Sequence, residues 1–224
     1  AKVVSQIDEY VQKATPITKQ MIYFSETFRS GIEFGATYVL FNDLKTALQK
    51  NKKKDIEKAI SSLKEAYADV HNKDYDHEVD RKVAKVLIPL YAESVPADAL
   101  PAFYQTIQTK YKGNYDAYID ALYDNSIFSN DKNFNAFINN PTVKAIENDL
   151  AVQYSSSKNE LSKKLNEKYD AVSGNIDLLH KTYVRGLCEM YAPTPKAPDA
   201  NFTIRLTYGN VKSYDPKDGI HYKY

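Results

Sequence analysis

The 224-residue chain contains no tryptophan, a single cysteine and only seven glycines. Each shortage removes an option. One thiol, Cys188, allows no intrachain disulfide, and its setting in Leu187-Cys188-Glu189-Met190 predicts a small buried hydrophobe on a helix. Few, scattered glycines argue against a turn-rich β architecture and for long regular helices. They also leave no phosphate-cradling loop and no dinucleotide fingerprint. A Gly-x-Ser-x-Gly nucleophile elbow is missing as well, and no fixed-period repeat is evident. Runs such as Ala36 to Phe41 are far too short to span a bilayer. A net charge of +1 gives no reason to expect nucleic acid or an anionic membrane as partner. The basic cluster Lys52 to Lys54, flanked by Asn51 and Asp55, reads as a solvated turn between helices.

What is present suits a globular core. Apolar residues make up 43% of the chain and are spread along most of it, which disfavours disorder. Nineteen tyrosines, each with an apolar body and a hydrogen-bonding tip, are expected at the edge of that core. A Tyr-rich contact face for a peptide or protein is the other reading.

Helical spacing dominates the first 190 residues. A helix is expected over Ala1 to Lys13, with Val4, Ile7 and Val11 on one side. Thr15-Pro16 is expected to restart it, because Thr caps and Pro is tolerated at the first helical position. Ile17, Met21, Phe24, Phe28, Val39, Leu40, Leu44 and Leu48 then carry the pattern to about Lys50, with Gly31 and Gly35 marking a close helix approach or a kink. Further helices are expected over Lys53 to Asn72 and Tyr75 to Ser94, the latter with Val79, Val83, Val86, Leu87 and Leu90 in phase. After Pro96 and Pro101 come Leu100 to Tyr111 and Tyr115 to Phe128, the second capped by Asn114 with Asp116 at its positive end. From Asn140-Pro141 a pattern of threes and fours runs to Leu187, about 75 Å if unbroken, with a kink expected at Ser155-Ser156-Ser157 or at Gly174. The fold class is therefore mainly α, an elongated helical hairpin or bundle.

Pro193, Pro195 and Pro198 end that pattern. Phe202, Ile204, Leu206 and Tyr208 then alternate with polar residues, as in a strand. Asp215 to Gly219 supplies a turn, and Ile220 to Tyr224 a return strand. A lone hairpin is marginal in water. The chain is therefore expected to be a segment of a longer polypeptide that supplies the partner sheet, and Ala1-Lys2 running straight into a helix gives the same impression.

No residue set reads as a complete catalytic, cofactor or metal site. His71 and His77 stand six apart across a helix boundary, whereas helical metal ligands stand three or four apart. Asp74 or Asp76 reads as the cap of the following helix. Glu78, Asp80 and Arg81, beside Lys82 and Lys85, read as surface pairs. His180 and His221 have no Cys or acidic neighbour forming a motif.

The segment Phe202-Thr203-Ile204-Arg205-Leu206-Thr207-Tyr208-Gly209-Asn210-Val211-Lys212-Ser213-Tyr214, with Pro198-Asp199-Ala200-Asn201 before it and Asp215-Pro216-Lys217-Asp218-Gly219 after it, resembles the bacterial dipeptidyl aminopeptidases of the dipeptidyl-peptidase seven and eleven type. Glu78-Val79-Asp80-Arg81-Lys82-Val83, Val95 to Pro101 and Tyr123-Asp124-Asn125-Ser126-Ile127-Phe128 are similar to the family's helical region. The resemblance implies a serine exopeptidase that releases dipeptides from free N-termini. Its chymotrypsin-like β-barrel carries an inserted helical domain over the cleft. It further implies a periplasmic or secreted protein without a cofactor, whose catalytic His and Asp precede this segment and whose Ser follows it. No triad residue then falls within Ala1 to Tyr224. Residues 1–197 would be the helical cap and 198–224 the first strands of the returning barrel. The implied partners are the peptide substrate and that barrel, with no nucleic acid and no membrane span.

Overall fold

The computed structural model describes residues 2–71, 75–194, 204 and 206–223. They form two compact units, Ala1–His180 and Lys181–Tyr224.

Among its described residues the first unit is built from helices joined by short connections, with no strand. Its longest pair is α1 (Lys2–Ser25) and α9 (Leu150–Ser173). They run antiparallel: the Tyr10 hydroxyl lies 2.9 Å from that of Tyr169, while Phe28, just past α1, meets Tyr154 near the start of α9. The periodicity implied an elongated hairpin or bundle, and the pairing of α1 with α9 is what the structure adds. Helix α1 does not restart at Thr15-Pro16; it runs through Pro16 unbroken. The Thr15 hydroxyl turns back to the Val11 carbonyl at 2.6 Å instead of capping a new helix. Ile7 and Tyr10 are half-buried and Ala14 is buried, whereas Val4 and Val11, expected on the inner stripe, are exposed.

Beyond α1 the expected continuous helix to Lys50 is broken. A π-helical turn (Glu26–Gly31), two extended residues and a 3₁₀ turn (Ala36–Leu40) lead into α2 (Phe41–Gln49). Glycine decides both corners. A Cβ on Gly31 would sit 2.5 Å from Leu87 Cδ1 and 2.6 Å from the Glu26 carbonyl oxygen. Gly35 has φ +89° and faces the Tyr154 ring.

Helices α3 (Lys53–His71) and α4 (His77–Ser94) follow. Asp76 caps α4 by accepting from Glu78 N and Val79 N. The core face of α4 is Asp80, Ala84, Ile88 and Tyr91. Val79, Val86 and Leu90 of the expected stripe point outward and are 54%, 64% and 51% exposed, while Val83 and Leu87 pack partly buried against the core, so the helix is apolar on two sides. Shorter helices α5 (Phe103–Lys110), α6 (Tyr115–Asn125), α7 (Asp131–Asn139) and α8 (Val143–Asn148) close the unit. Asn114 caps α6 as expected, and α7, capped by Asn130, was not foreseen. The long pattern after Pro141 breaks at Asp149, whose carboxylate caps α9 through Ala151 N and Val152 N and also accepts from Ile127 N. Burial holds that carboxyl above the ordinary aspartate range even against those three donors. Helix α9 runs unbroken through Ser155 to Ser157, of which Ser155 and Ser157 are buried, and the interruption comes at the other expected place, Gly174 (φ +42°). Helix α10 (Ile176–Met190) starts there.

The core is rich in stacked and edge-on rings, among them Phe28, Phe34, Tyr38, Phe41, Phe103, Tyr118, Tyr123 and Tyr154. Tyr91 and Tyr104 satisfy their hydroxyls on the carbonyls of Ala99 and Ile88. The tyrosines were expected at the core edge or on a contact face; many of them are the core itself.

In the second unit, Cys188 is exposed rather than buried. Strands β1 (Tyr214–Lys217) and β2 (Ile220–Tyr222) pair antiparallel with Tyr214 opposite Tyr222, and Gly219 (φ +79°) makes the turn. The hairpin exists, but its first strand lies about the expected turn. Phe202, Thr203 and Arg205 fall outside the described residues, and Ile204, Leu206 and Tyr208 are exposed and not in a strand. The alternating stretch has no neighbouring strand among the described residues, and without one an edge pattern forms no ladder.

Candidate functional site

Asp80 organises the interior of the first unit. Although it sits in a run of charged residues, it is only 6% exposed. Its Oδ1 accepts from Glu33 N (2.9 Å), and its Oδ2 from Phe34 N (2.9 Å), the Tyr123 hydroxyl (2.7 Å) and the Tyr75 hydroxyl (3.3 Å). Four donors on one buried carboxylate fix the extended residues after the π turn against α4 and α6. Burial, followed by the Asp80 charge, drives the Tyr123 and Tyr75 phenols far above their usual range, so both remain donors. The reading of Asp80 as a surface pair is therefore overturned. Its neighbour Arg81 does pair as expected, with Glu78, Asp120 and Asp124, and Lys85 with Asp120 at 2.7 Å.

The histidines are spoken for or apart. His77 Nε2 lies 3.0 Å from the Tyr123 carbonyl oxygen and Nδ1 3.4 Å from the Tyr75 hydroxyl, with its ring edge-on to Phe34. The His71 side chain lies outside the described residues, His180 is exposed, and His221 meets Asp215 at 2.5 Å in the hairpin. Among the described residues no three His, Cys, Asp or Glu side chains draw together as metal ligands.

On the other side of the extended segment a cavity of about 920 Å³ opens between the end of α1, the end of α3 and α9. Phe24, Phe28, Phe34, Tyr38 and Phe128 wall it, and Arg29, Glu33, Asp69, Asn159 and Ser162 give it a polar border. Arg29 donates to Ser162 at 2.8 Å. Lys158 of α9 is 7% exposed, and its ammonium lies 4.2 Å from the Tyr154 ring centroid and 6.0 Å from that of Phe28. Burial lowers it to about 8, against a smaller opposing pull from Asp80. The Tyr154 hydroxyl is buried without a hydrogen-bond partner among the described residues. This arrangement can bind; among the described residues around it no hydrogen bond joins a nucleophile to a base.

Neither Asp80 nor Lys158 was singled out from the sequence as a buried group, yet a signal existed. Lys158 falls in phase with Tyr154, Leu161 and Leu165, and Asp80 with Ala84, Ile88 and Tyr91. A charge on the apolar phase of a helix is either an error in the phase or a buried group.

Among the described residues no helix is long and apolar enough to cross a membrane. The family model for peptidase S46 matches residues 1–224. The chain is 65% identical to Dipeptidyl-peptidase 7 of Phocaeicola vulgatus over 224 residues, all of this chain and 31% of that protein. It is 32% identical over 219 residues to the Asp/Glu-specific dipeptidyl-peptidase of Porphyromonas gingivalis, covering 98% of this chain and 30% of the relative. The crystal structure of Porphyromonas endodontalis DPP11 in complex with the dipeptide Arg-Glu superposes with a TM-score of 0.77 at 26% identity, over 99% of this chain and 32% of the other. The chain thus spans about a third of the length of these relatives. Its sequence similarity and its helical fold agree: it belongs to the peptidase S46 family.

Proposed function

We propose that this chain is the helical cap of a serine-type dipeptidyl-peptidase, with the catalytic groups supplied by parts of the polypeptide outside residues 1–224. The observation that carries this reading is the match over the whole chain to a protein named Dipeptidyl-peptidase 7, of which it represents 31%. In this account residues 1–197 cover the active-site cleft, and residues 198–224 lead into a β-barrel. The catalytic step, attack by a Ser activated by His and Asp with an oxyanion hole, belongs to that barrel. The parent works in the periplasm or outside the cell.

The physics of the first unit supports the role. An exopeptidase that removes two residues must admit a free N-terminus and exclude chain beyond it. A rigid wall does this better than a loop. Here the wall is a hairpin of two 24-residue helices seated on an aromatic core, with the buried Asp80 and Asp149 carboxylates fixing the segments beside it. The outward apolar stripe Val79, Val86 and Leu90 offers a face for the rest of the polypeptide. The full-length protein should release dipeptides from peptides with a free amino terminus and leave N-acetylated counterparts intact. Equal cleavage of blocked and free peptides contradicts the cap role.

A further inference from the structure

We propose that the cavity between the end of α1, α3 and α9 is a binding site for a carboxylate carrying an apolar body, with Lys158 as the ion-pairing group.

Lys158 is the observation that requires an explanation. It is 7% exposed, lines the cavity, and makes no hydrogen bond or ion pair among the described residues beyond its approach to the Tyr154 and Phe28 rings. Buried ammonium groups are ordinarily paired, and ring faces offset only part of the lost hydration. The nearby acids do not serve. Asp80 of α4 is already filled by two backbone N–H groups and two phenols. Glu33, from the turn after α1, and Asp69 of α3 are exposed and unpaired with it. Burial has moved Lys158 down to about 8, which leaves it largely protonated at neutral pH and able to regain a full charge when an anion arrives.

The surroundings select the ligand class. A volume of about 920 Å³ with aromatic walls is the size of a small-molecule site. Lys158 and Arg29 are balanced by Glu33 and Asp69 around the same cavity, and only Lys158 among the four is buried, which favours a monoanion on Lys158 over a phosphate dianion. Two sources share this chemistry: a free small acid, or an Asp or Glu side chain from the polypeptide outside residues 1–224. The inference does not depend on the proposed peptidase role.

The test uses the full-length protein and the probe pair N-acetyl-phenylalanine and its carboxamide in calorimetric titrations. The same protein, labelled at lysine Cε with ¹³C, reports the ionisation of Lys158, assigned by its loss in Lys158→Arg. For a free-acid site, the acid binds about tenfold or more tightly than the amide. Lys158→Met abolishes that preference while Lys158→Arg keeps most of it, and binding at any other site is unmoved by either substitution. For a carboxylate from the polypeptide itself, neither probe binds and Lys158 titrates above its ordinary 10.5. Two results overturn the proposal: a preference for the acid that survives Lys158→Met, or no preference together with a Lys158 that titrates well below 10.5.

Discussion

The Tyr123 hydroxyl donates to Asp80 at 2.7 Å inside the first unit, where both side chains are buried. The same carboxylate holds the backbone N–H groups of Glu33 and Phe34, so one side chain of α4 ties α6 to the middle of the crossing from α1 to α2. Asp80→Ala strands several buried donors and should lower stability by about 3 kcal/mol or more. Tyr123→Phe removes one bond to a charged acceptor and should cost about 1.5–3 kcal/mol. Urea titrations of both single variants and the double variant check this, since groups in one network are non-additive. Additive losses would mean that the two residues act separately.

Two glycines differ in what a methyl would meet. Gly31→Ala drives a methyl against both a side chain and a backbone carbonyl and should destabilise by about 1–3 kcal/mol. Trimming the side chain with Leu87→Ala should not rescue it, because the Glu26 carbonyl remains 2.6 Å away. Gly174→Ala meets nothing within 4 Å and pays only for its backbone, φ +42° with ψ −120°, about 1–3 kcal/mol. Thermal melts of the three variants check these losses. Full rescue of Gly31→Ala by the Leu87 change would refute the backbone clash.

Lys158 makes stability depend on pH with a definite sign. Its folded value is depressed, so below about 8 the ammonium is charged in both states and the whole burial penalty is felt. Between about 8 and the unfolded value of 10.5 the folded state sheds its proton first, and the penalty fades as pH rises. Lys158→Met should therefore stabilise the chain at pH 7 by on the order of 3 kcal/mol. The gain should vanish towards pH 10.5, as read from paired urea midpoints. A gain independent of pH would trace to packing rather than charge.

The two faces of α4 should respond differently. Ile88→Ala removes a fully buried side chain and should cost about 2–5 kcal/mol. Val86→Ser, on the outward stripe, should stay within about 0.5 kcal/mol in the isolated chain. Comparable losses at both positions would restore the inner stripe expected from the sequence.

That contrast explains what the sequence made legible. Period and capping chemistry gave the helical class, the Asn114 cap, Asp76 as one of two candidate caps, an elongated hairpin or bundle without its pairing of α1 with α9, and Gly174 as one of two places for an interruption. Period alone fails where a helix is apolar on two sides, as α4 is. It fails also where a charge is buried on the core phase, because Asp80 and Lys158 look like surface residues until the tertiary partners are known. Pro16 misled because one lost rung does not end a helix already held along its length by α9. Asp149 is hidden because Val143, Ile146, Leu150 and Tyr154 keep the spacing of threes and fours straight across the break that it caps. The hairpin was legible as a turn near Gly219, but its first strand was set too early, since alternation predicts an edge and not its partner.

The central claim is that these helices shape a peptidase without performing its chemistry. Release of the N-terminal dipeptide from a fluorogenic substrate by the full-length protein, set beside the purified 224-residue chain at equal concentration, tests it most directly. Turnover by the first and none by the second is the expected result. Dipeptide release by the 224-residue chain alone would contradict it.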